Sequence, residues 1–351
     1  MATSGTAGLT RFTTRKIIDN AYGRCRIGRD KISVGRIEVA MDALSLRLSS
    51  MANKGIPLWA VQKTILPIYV GQVSVLTPLG TQAVLDLNLR RTTRPTGTAT
   101  SSSGTAANAF DGDLSTTCTL AAPAGNITLQ YSSATAIPMY GILPNVSATW
   151  DYTIQASNDG TTWTTLYSAS AQSMSAGVWF WFDIEQVAAW VYYRIVGGAT
   201  TTLDIRELVF ANTPVEVNLA PLNRDDYSSL PNKFLQSQPT QYWFDRQRSQ
   251  PVITLWPAVN DQSKLWNLVA YLHRQIQDVG TMAQELELRQ SDYLAVMARL
   301  AGDIALIDEE VNPALVPQIM AEADREWRDM WDGESDDAPS SIYPNIGPYT
   351  R

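Results

Sequence analysis

The run YTIQASNDGTTWTTL, Tyr152 to Leu166, alternates apolar and polar side chains and breaks at Asn158-Asp159-Gly160. A period of two marks a half-buried strand, and Asn-Asp-Gly supplies the positive φ of a tight hairpin turn. Short segments of this kind, rich in Thr, Trp and Tyr and separated by Gly, Asn and Ser turns, continue from Phe110 to Phe210. An antiparallel sandwich reads this way. On both sides of it the apolar spacing is helical, so the feature that most constrains the fold is a β-domain set inside a chain with helical ends.

A short helix is predicted near Thr13 to Gly23 and a longer one from Ser33 to Asn53, with Val34, Ile37, Met41, Leu44, Leu48 and Met51 on one stripe. Ser33 is the expected N-cap and Gly55 the expected stop. Strand-like runs follow at residues 58–71 and 81–90, with Pro67 and Pro78 at bends. Thr92 to Ala107 is almost all Thr, Ser, Ala, Gly and Pro and reads as a solvated linker. Past Phe210 the outer domain resumes at Val215 to Leu219. A sandwich with neighbouring ends fits the tip of a hairpin formed by Ala83 to Arg91 and Pro214 to Ala220. QYWFDRQ and PVITLWP form a second hairpin around Arg248-Ser249-Gln250, and Lys264 to Val279 is either strand or helix. Tyr293, Met297, Leu300, Ile304 and Ile307 repeat at helical spacing behind Ser291, as do Val316, Ile319, Ala323, Trp327 and Met330 after Pro313. The expected fold class is α+β: a helical-bundle domain with a small antiparallel sheet, from residues 1–94 and 214–331, interrupted by an all-β jelly-roll sandwich at 95–213. Residues 332–351, acidic and then rich in Pro and Tyr, form an extended tail.

The net charge of -7 is unevenly spread: +9 over residues 1–94, -6 over 95–213 and -10 over 214–351. This balance serves solubility, or it marks surfaces that pair between copies or repel a polyanion. No basic start precedes an apolar run and no eighteen apolar residues run unbroken, so neither secretion nor a membrane span is expected. Cys25 and Cys118 are expected as buried thiols. The chain has one histidine, His273, in the apolar run LVAYLHRQI. No phosphate loop, Ser-His pair or metal-spaced Cys/His set accompanies it. Spacing along the chain says nothing of the carboxylate separation needed for glycoside hydrolysis. The expectation is a protein without catalysis, cofactor or metal; Asp111 and Asp113 read as Asx-turn formers before they read as Ca²⁺ ligands.

In GVWFWFDI, alternation puts Val178, Phe180, Phe182 and Ile184 on one face and Trp179, Trp181 and Asp183 on the other. Either a loop or the outer domain covers the tryptophans, or they form a contact surface for a partner or saccharide.

The pieces FDGDLSTTC, ITLQY, YTIQASNDGTTWTTL, VYYRIVGG and IRELVF, in this order over about a hundred residues, resemble the discoidin, or coagulation-factor type C, domain, a galactose-binding-like jelly roll. Cys118 stands where family members often carry Trp. The outer segments TRKIIDNAY, IEVAMDALSLRLSSMANKGIPLW, RDDYSSLPNK, PTQYWFDRQRSQPVITLWP and SDYLAVMARLAGDIA resemble the adaptor family of tailed bacteriophages, the head-to-tail connectors that include tail tubular proteins. That family usually lacks an inserted sandwich.

The second resemblance implies a virion protein of the neck, assembled in the host cytoplasm. It would form a homo-oligomeric ring of twelve copies between a portal protein and the next tail component, a nozzle or tail tube. DNA would pass through without sequence-specific contact. The tail would dock on the portal through Ile342, Tyr343, Pro344, Ile346, Pro348, Tyr349 and Arg351. On that reading some of Glu309, Glu310, Glu322, Glu326 and Asp329 face the channel and repel phosphates; otherwise they form a solvated helix face. The alternative is a carbohydrate-binding virion protein that recognises the host surface through the sandwich.

Overall fold

The computed structural model describes residues 11–51, 60–184, 188–260, 265–277 and 280–333. It divides into two compact units, one from residues 1–61 and 273–351, the other from residues 62–272. The helices are α1 (Thr14–Arg24), α2 (Val34–Met51), α3 (Arg224–Ser229), α4 (Tyr293–Ile307) and α5 (Val316–Asp332). The strands of the carrier region are β1 (Val61–Pro67), β2 (Ser74–Leu76) and β3 (Thr81–Thr93) before the sandwich, and β13 (Ala220–Leu222), β14 (Gln241–Asp245), β15 (Val252–Trp256) and β16 (Trp266–Arg274) after it. Those of the sandwich are β4 (Thr98–Ser101), β5 (Cys118–Leu120), β6 (Asn126–Ala136), β7 (Met139–Pro144), β8 (Ala148–Ser157), β9 (Thr164–Met174), β10 (Phe180–Asp183), β11 (Ala189–Gly197) and β12 (Leu203–Asn218).

In the helical unit, segments from the two ends of the chain share one core. Ile17, Ile18, Leu44 and Leu48 pack in the same cluster as Tyr293, Val296, Leu300 and Trp327. The Thr13 hydroxyl accepts from Lys16 N and starts α1, and the Thr14 hydroxyl donates to Gln284 O at 2.9 Å. Two expected core positions fall elsewhere: Val34 is 73% exposed and Ile307 is exposed, while Ala40 is fully buried. Both lie at helix ends, where the buried stripe leaves the neighbouring helix. The expected Ser291 cap is displaced too: Asp292 is the N-cap of α4, without a side-chain bond to the helix, and Ser291 donates to its carboxylate.

Arginines of the first segment meet carboxylates of the last. Arg24 pairs with Glu322, Arg36 with Asp308 and Glu310, and Arg47 with Asp303. Part of the contrast between a basic head and an acidic end is therefore neutralised within one helical unit.

The second unit holds the sandwich and its carrier sheets. A five-stranded sheet, β4-β6-β11-β8-β9, faces a second sheet in which β12 pairs with β7 and β5 and β7 pairs with β10. Between them lie Tyr131, Tyr140, Trp150, Tyr152, Tyr193 and Phe210, all buried. The Tyr140 and Tyr152 hydroxyls, 3.1 Å apart, satisfy each other. Sequence and structure agree on an inserted β-sandwich in an α+β chain.

The sandwich is fused to its carrier and not tethered to it. β12 pairs with β7 through Ile205 to Ala211, then with β3 through Asn212 to Asn218. One path, β1-β16-β3-β12-β7-β10, thus crosses from carrier to sandwich. This explains the run Leu208-Val209-Phe210-Ala211, buried without alternation: Leu208 and Phe210 enter the sandwich core, Val209 and Ala211 a second cluster with Met139 and Trp181. A sheet covered on both faces needs apolar residues on both.

Several expectations are corrected. Thr92 to Ala107 is not a linker: Thr92 is buried, β3 reaches Thr93, and β4 pairs with β6 as an edge strand. A Cβ at Gly97 would lie 2.7 Å from Gln130 O, so the chain runs directly against β6. The division at 61/62 and 272/273 puts the carrier sheets with the sandwich, unlike the expected boundaries at 94/95 and 213/214, because β3 and β12 belong to both. The carrier is not purely antiparallel, since β13 and β14 pair in parallel. Residues 266–274 are a strand.

Candidate functional site

Strand β10 presents two faces. Phe180, Phe182 and Ile184 turn into the sandwich core. On the other face Trp179 and Trp181 stack at 5.2 Å with their planes 19° apart. Trp181 is 7% exposed and packs with Met139, Val209 and Ala211, alongside Ile65 of β1 and Leu265. Its ring lies flat on the backbone of β7, where a Cβ at Gly141 would come within 2.6 Å of Cζ3. Trp179 is half-buried, and its backbone N–H donates to Tyr69 Oη at 3.2 Å. Asp183, the third residue of this face, pairs with Arg90 and Lys63.

The stacked tryptophans form one wall of a cleft of about 500 Å³, also lined by Tyr69, Trp266, Leu114 and the Arg94–Glu207 pair. Glu207 is 1% exposed. Its register shifts from Ile205 against β7, and such a bulge re-aims a side chain. One carboxylate oxygen accepts the Gly112 N–H at 2.6 Å and the other takes Arg94 Nη2 at 3.1 Å. Arg94 Nη1 also donates to Phe110 O. Burial pushes the Glu207 carboxyl up to about 7, against the opposing pull of Arg94 and the Gly112 amide. Trp266 is 6% exposed, and its indole N–H has no partner among the described residues.

The cleft joins aromatic faces to hydrogen-bonding groups, the Arg94 guanidinium and the Glu207 carboxyl among them. Tyr69, Arg94, Glu207 and Trp266 were not anticipated. They come from both sides of the insertion as well as from within it, and the only sign in the sequence is a lone carboxylate in the apolar strand IRELVF.

A second aromatic group lies on the outer face of the five-stranded sheet. The Arg194 guanidinium sits 3.7 Å over the Trp163 ring, and Tyr192 meets that ring edge-on. Arg194 Nε donates to Gln155 Oε1 at 2.8 Å. Trp163 thus folds over side chains of β11. Asp159 Oδ1 accepts from the Thr161 and Thr162 amides, which closes the turn.

The remaining sequence candidates are dispersed. Asp111 and Asp113 accept local N–H and hydroxyl donors. Glu310, Glu322 and Glu326 are ion-paired, to Arg36, Arg24 and Arg325, whereas Glu309 and Asp329 are exposed. Ile342, Tyr343, Pro344, Ile346, Pro348, Tyr349 and Arg351 lie outside the described residues. His273 is buried, and burial lowers its pKa. Among the described residues, no group of His, Cys, Asp and Glu is arranged to hold a metal ion, and no helix is long and apolar enough to cross a membrane.

Neither a protein-family model nor a curated protein matches the sequence. Among solved structures, the chain is similar to a carbohydrate-binding module described as CBM32 of AlyQ in complex with 4,5-unsaturated mannuronic acid, with 20% identity, 34% of this chain and 99% of that one covered, and a TM-score of 0.31. It is also similar to CBM62 of Clostridium thermocellum Xyl5A, with 23% identity, coverage of 35% and 98%, and a TM-score of 0.31. A pectin-binding module shows 20% identity, coverage of 34% and 93%, and a TM-score of 0.30.

Proposed function

We propose that the chain is a carbohydrate-binding protein in which the inserted sandwich is the recognition module. The observation that carries this reading is the cleft of about 500 Å³, where the half-buried Trp179 is stacked on Trp181 beside the Arg94–Glu207 pair. Aromatic faces stack on the C–H faces of sugar rings, and a few fixed polar groups orient hydroxyls. The carrier strands hold the module rigidly, which suits display of a site. The reading assigns binding without catalysis, and on it the module recognises a saccharide of a host surface. Titration of the full chain against an oligosaccharide panel tests it: a Trp179→Ala variant that melts like the parent should bind at least tenfold more weakly. Equal binding by the two proteins would remove the cleft as the site.

A second reading is favoured by one specific observation, the single core shared by the first and last helices. The adaptor resemblance implies such a body, assembled as a ring of twelve with a portal protein on one side and a tail component on the other. Negative-stain microscopy of the chain mixed with a purified portal tests this reading. Rings that form with the full chain and fail without residues 332–351 support it; a monomer in every mixture refutes it.

A further inference from the structure

The sandwich does not complete the cleft by itself. Tyr69 follows β1, and Trp266 opens β16; both belong to the carrier and both line the cleft. Tyr69 brings hydrogen-bonding capacity to it and Trp266 brings ring surface. The Tyr69 oxygen already accepts the Trp179 amide, which leaves its O–H to donate. The Trp266 indole N–H is itself enclosed by protein, so Trp266 meets the cleft through its ring.

Resting on the carbohydrate reading, we propose that Tyr69 and Trp266 of the carrier complete the cleft and select an uncharged pyranose as its ligand. Two further observations specify the class. Above about pH 7, where Glu207 is ionised, it neutralises Arg94 at 3.1 Å, and the cleft then offers no counter-charge to an ionised sugar. The sandwich region carries 2 Lys+Arg against 8 Asp+Glu, and that field repels a polyuronate. The volume lies within the roughly 300–1,000 Å³ of small-ligand sites and suits one or two sugar rings. A sugar ring can lie against the Trp266 ring while one of its hydroxyls accepts the Tyr69 proton.

The test is calorimetric titration of the full chain and its Tyr69→Phe, Trp266→Phe and Trp179→Ala variants. The probes, used at about pH 8 where Glu207 is ionised, are neutral galacto-, gluco- and manno-oligosaccharides and oligogalacturonate. A neutral sugar should bind, about fivefold to tenfold more weakly to Tyr69→Phe and to Trp266→Phe. Oligogalacturonate should bind at least tenfold more weakly than that sugar. If Trp266→Phe melts early, Tyr69→Phe, which keeps the ring, decides the carrier's contribution. Loss of binding in Trp179→Ala with parental affinity in both phenylalanine variants would overturn this inference and leave the carbohydrate reading standing. Tighter binding of oligogalacturonate than of any neutral sugar would do the same to the ligand class. No binding of any sugar by the parent would overturn the reading and this inference with it.

Discussion

Arg90 Nη1 donates to Asp183 Oδ1 across 2.6 Å, joining the carrier strand β3 to β10, the outermost strand on the sheet path through the sandwich. The same guanidinium pairs with Glu216 of β12, and Arg90 is only 4% exposed. Two carboxylates around one buried cation thus tie β3 to both β10 and β12. Replacing Arg90 by Met removes that cation from both acids and leaves Asp183 only Lys63. Removal of one member of a buried pair costs about 3 kcal/mol. We expect Arg90→Met to lower the unfolding free energy by about that much in urea, and Asp183→Asn, whose partner retains Glu216, by less. Equal losses would mean that the two acids are not shared through Arg90.

Gly141 has a packing reason that no glycine signal in the sequence discloses. It pairs with Trp181 in the β7–β10 register, and the indole occupies the space of the missing side chain. Overpacking of this kind costs about 1–3 kcal/mol. Gly141→Ala should therefore lower the melting temperature and shift tryptophan emission as the Trp179–Trp181 stack is displaced. An unchanged spectrum would show that the ring does not rest on this backbone.

What the sequence disclosed follows from periodicity. Tyr152, Ile154 and Ala156 alternate because β8 has one buried face, and Leu300, Ile304 and Trp327 recur because helices bury a stripe. The edge strand β4 was hidden because a half-exposed edge can be built from Thr, Ala and Ser, whose composition is also that of a linker. The cleft was hidden for a different reason. Tyr69, Arg94, Glu207 and Trp266 share no periodic relation, and only the continuation of β12 from one sheet into the next brings them together. The tryptophans of β10 were recognised as two-faced, but whether carrier or ligand covered them depended on Ile65 and Leu265.

Glu207 makes stability depend on pH. Its folded pKa, about 7, lies above the ordinary 4.5 because burial disfavours the charged form. A group with a raised folded pKa contributes stability that is fully present below the unfolded value and lost as pH rises through the folded one. The parent should thus lose this contribution between about pH 4.5 and pH 7, and Glu207→Gln, which does not titrate, should not. Urea unfolding across this range checks it: the stability of the variant relative to the parent should increase with pH. Parallel profiles would show that Glu207 does not titrate in this window.

In the helical unit, the pairing of the basic first segment with the acidic last one has a consequence for salt. Arg47 holds Asp303 through both Nε and Nη2, a geometry stronger than a single exposed contact. Both side chains are partly open to solvent, which limits the pair to about 1 kcal/mol. Arg24–Glu322 and Arg36–Asp308 are similarly placed between the two ends of the chain, and exposed pairs weaken as the screening length falls to about 3 Å at 1 M salt. Helical ellipticity followed in urea should therefore report a lower midpoint in 1 M NaCl than in 50 mM. Arg47→Ala should lower the midpoint at low salt and narrow the difference between the two conditions. If the variant shows the parent's full salt dependence, Arg47–Asp303 contributes nothing to holding the two ends together.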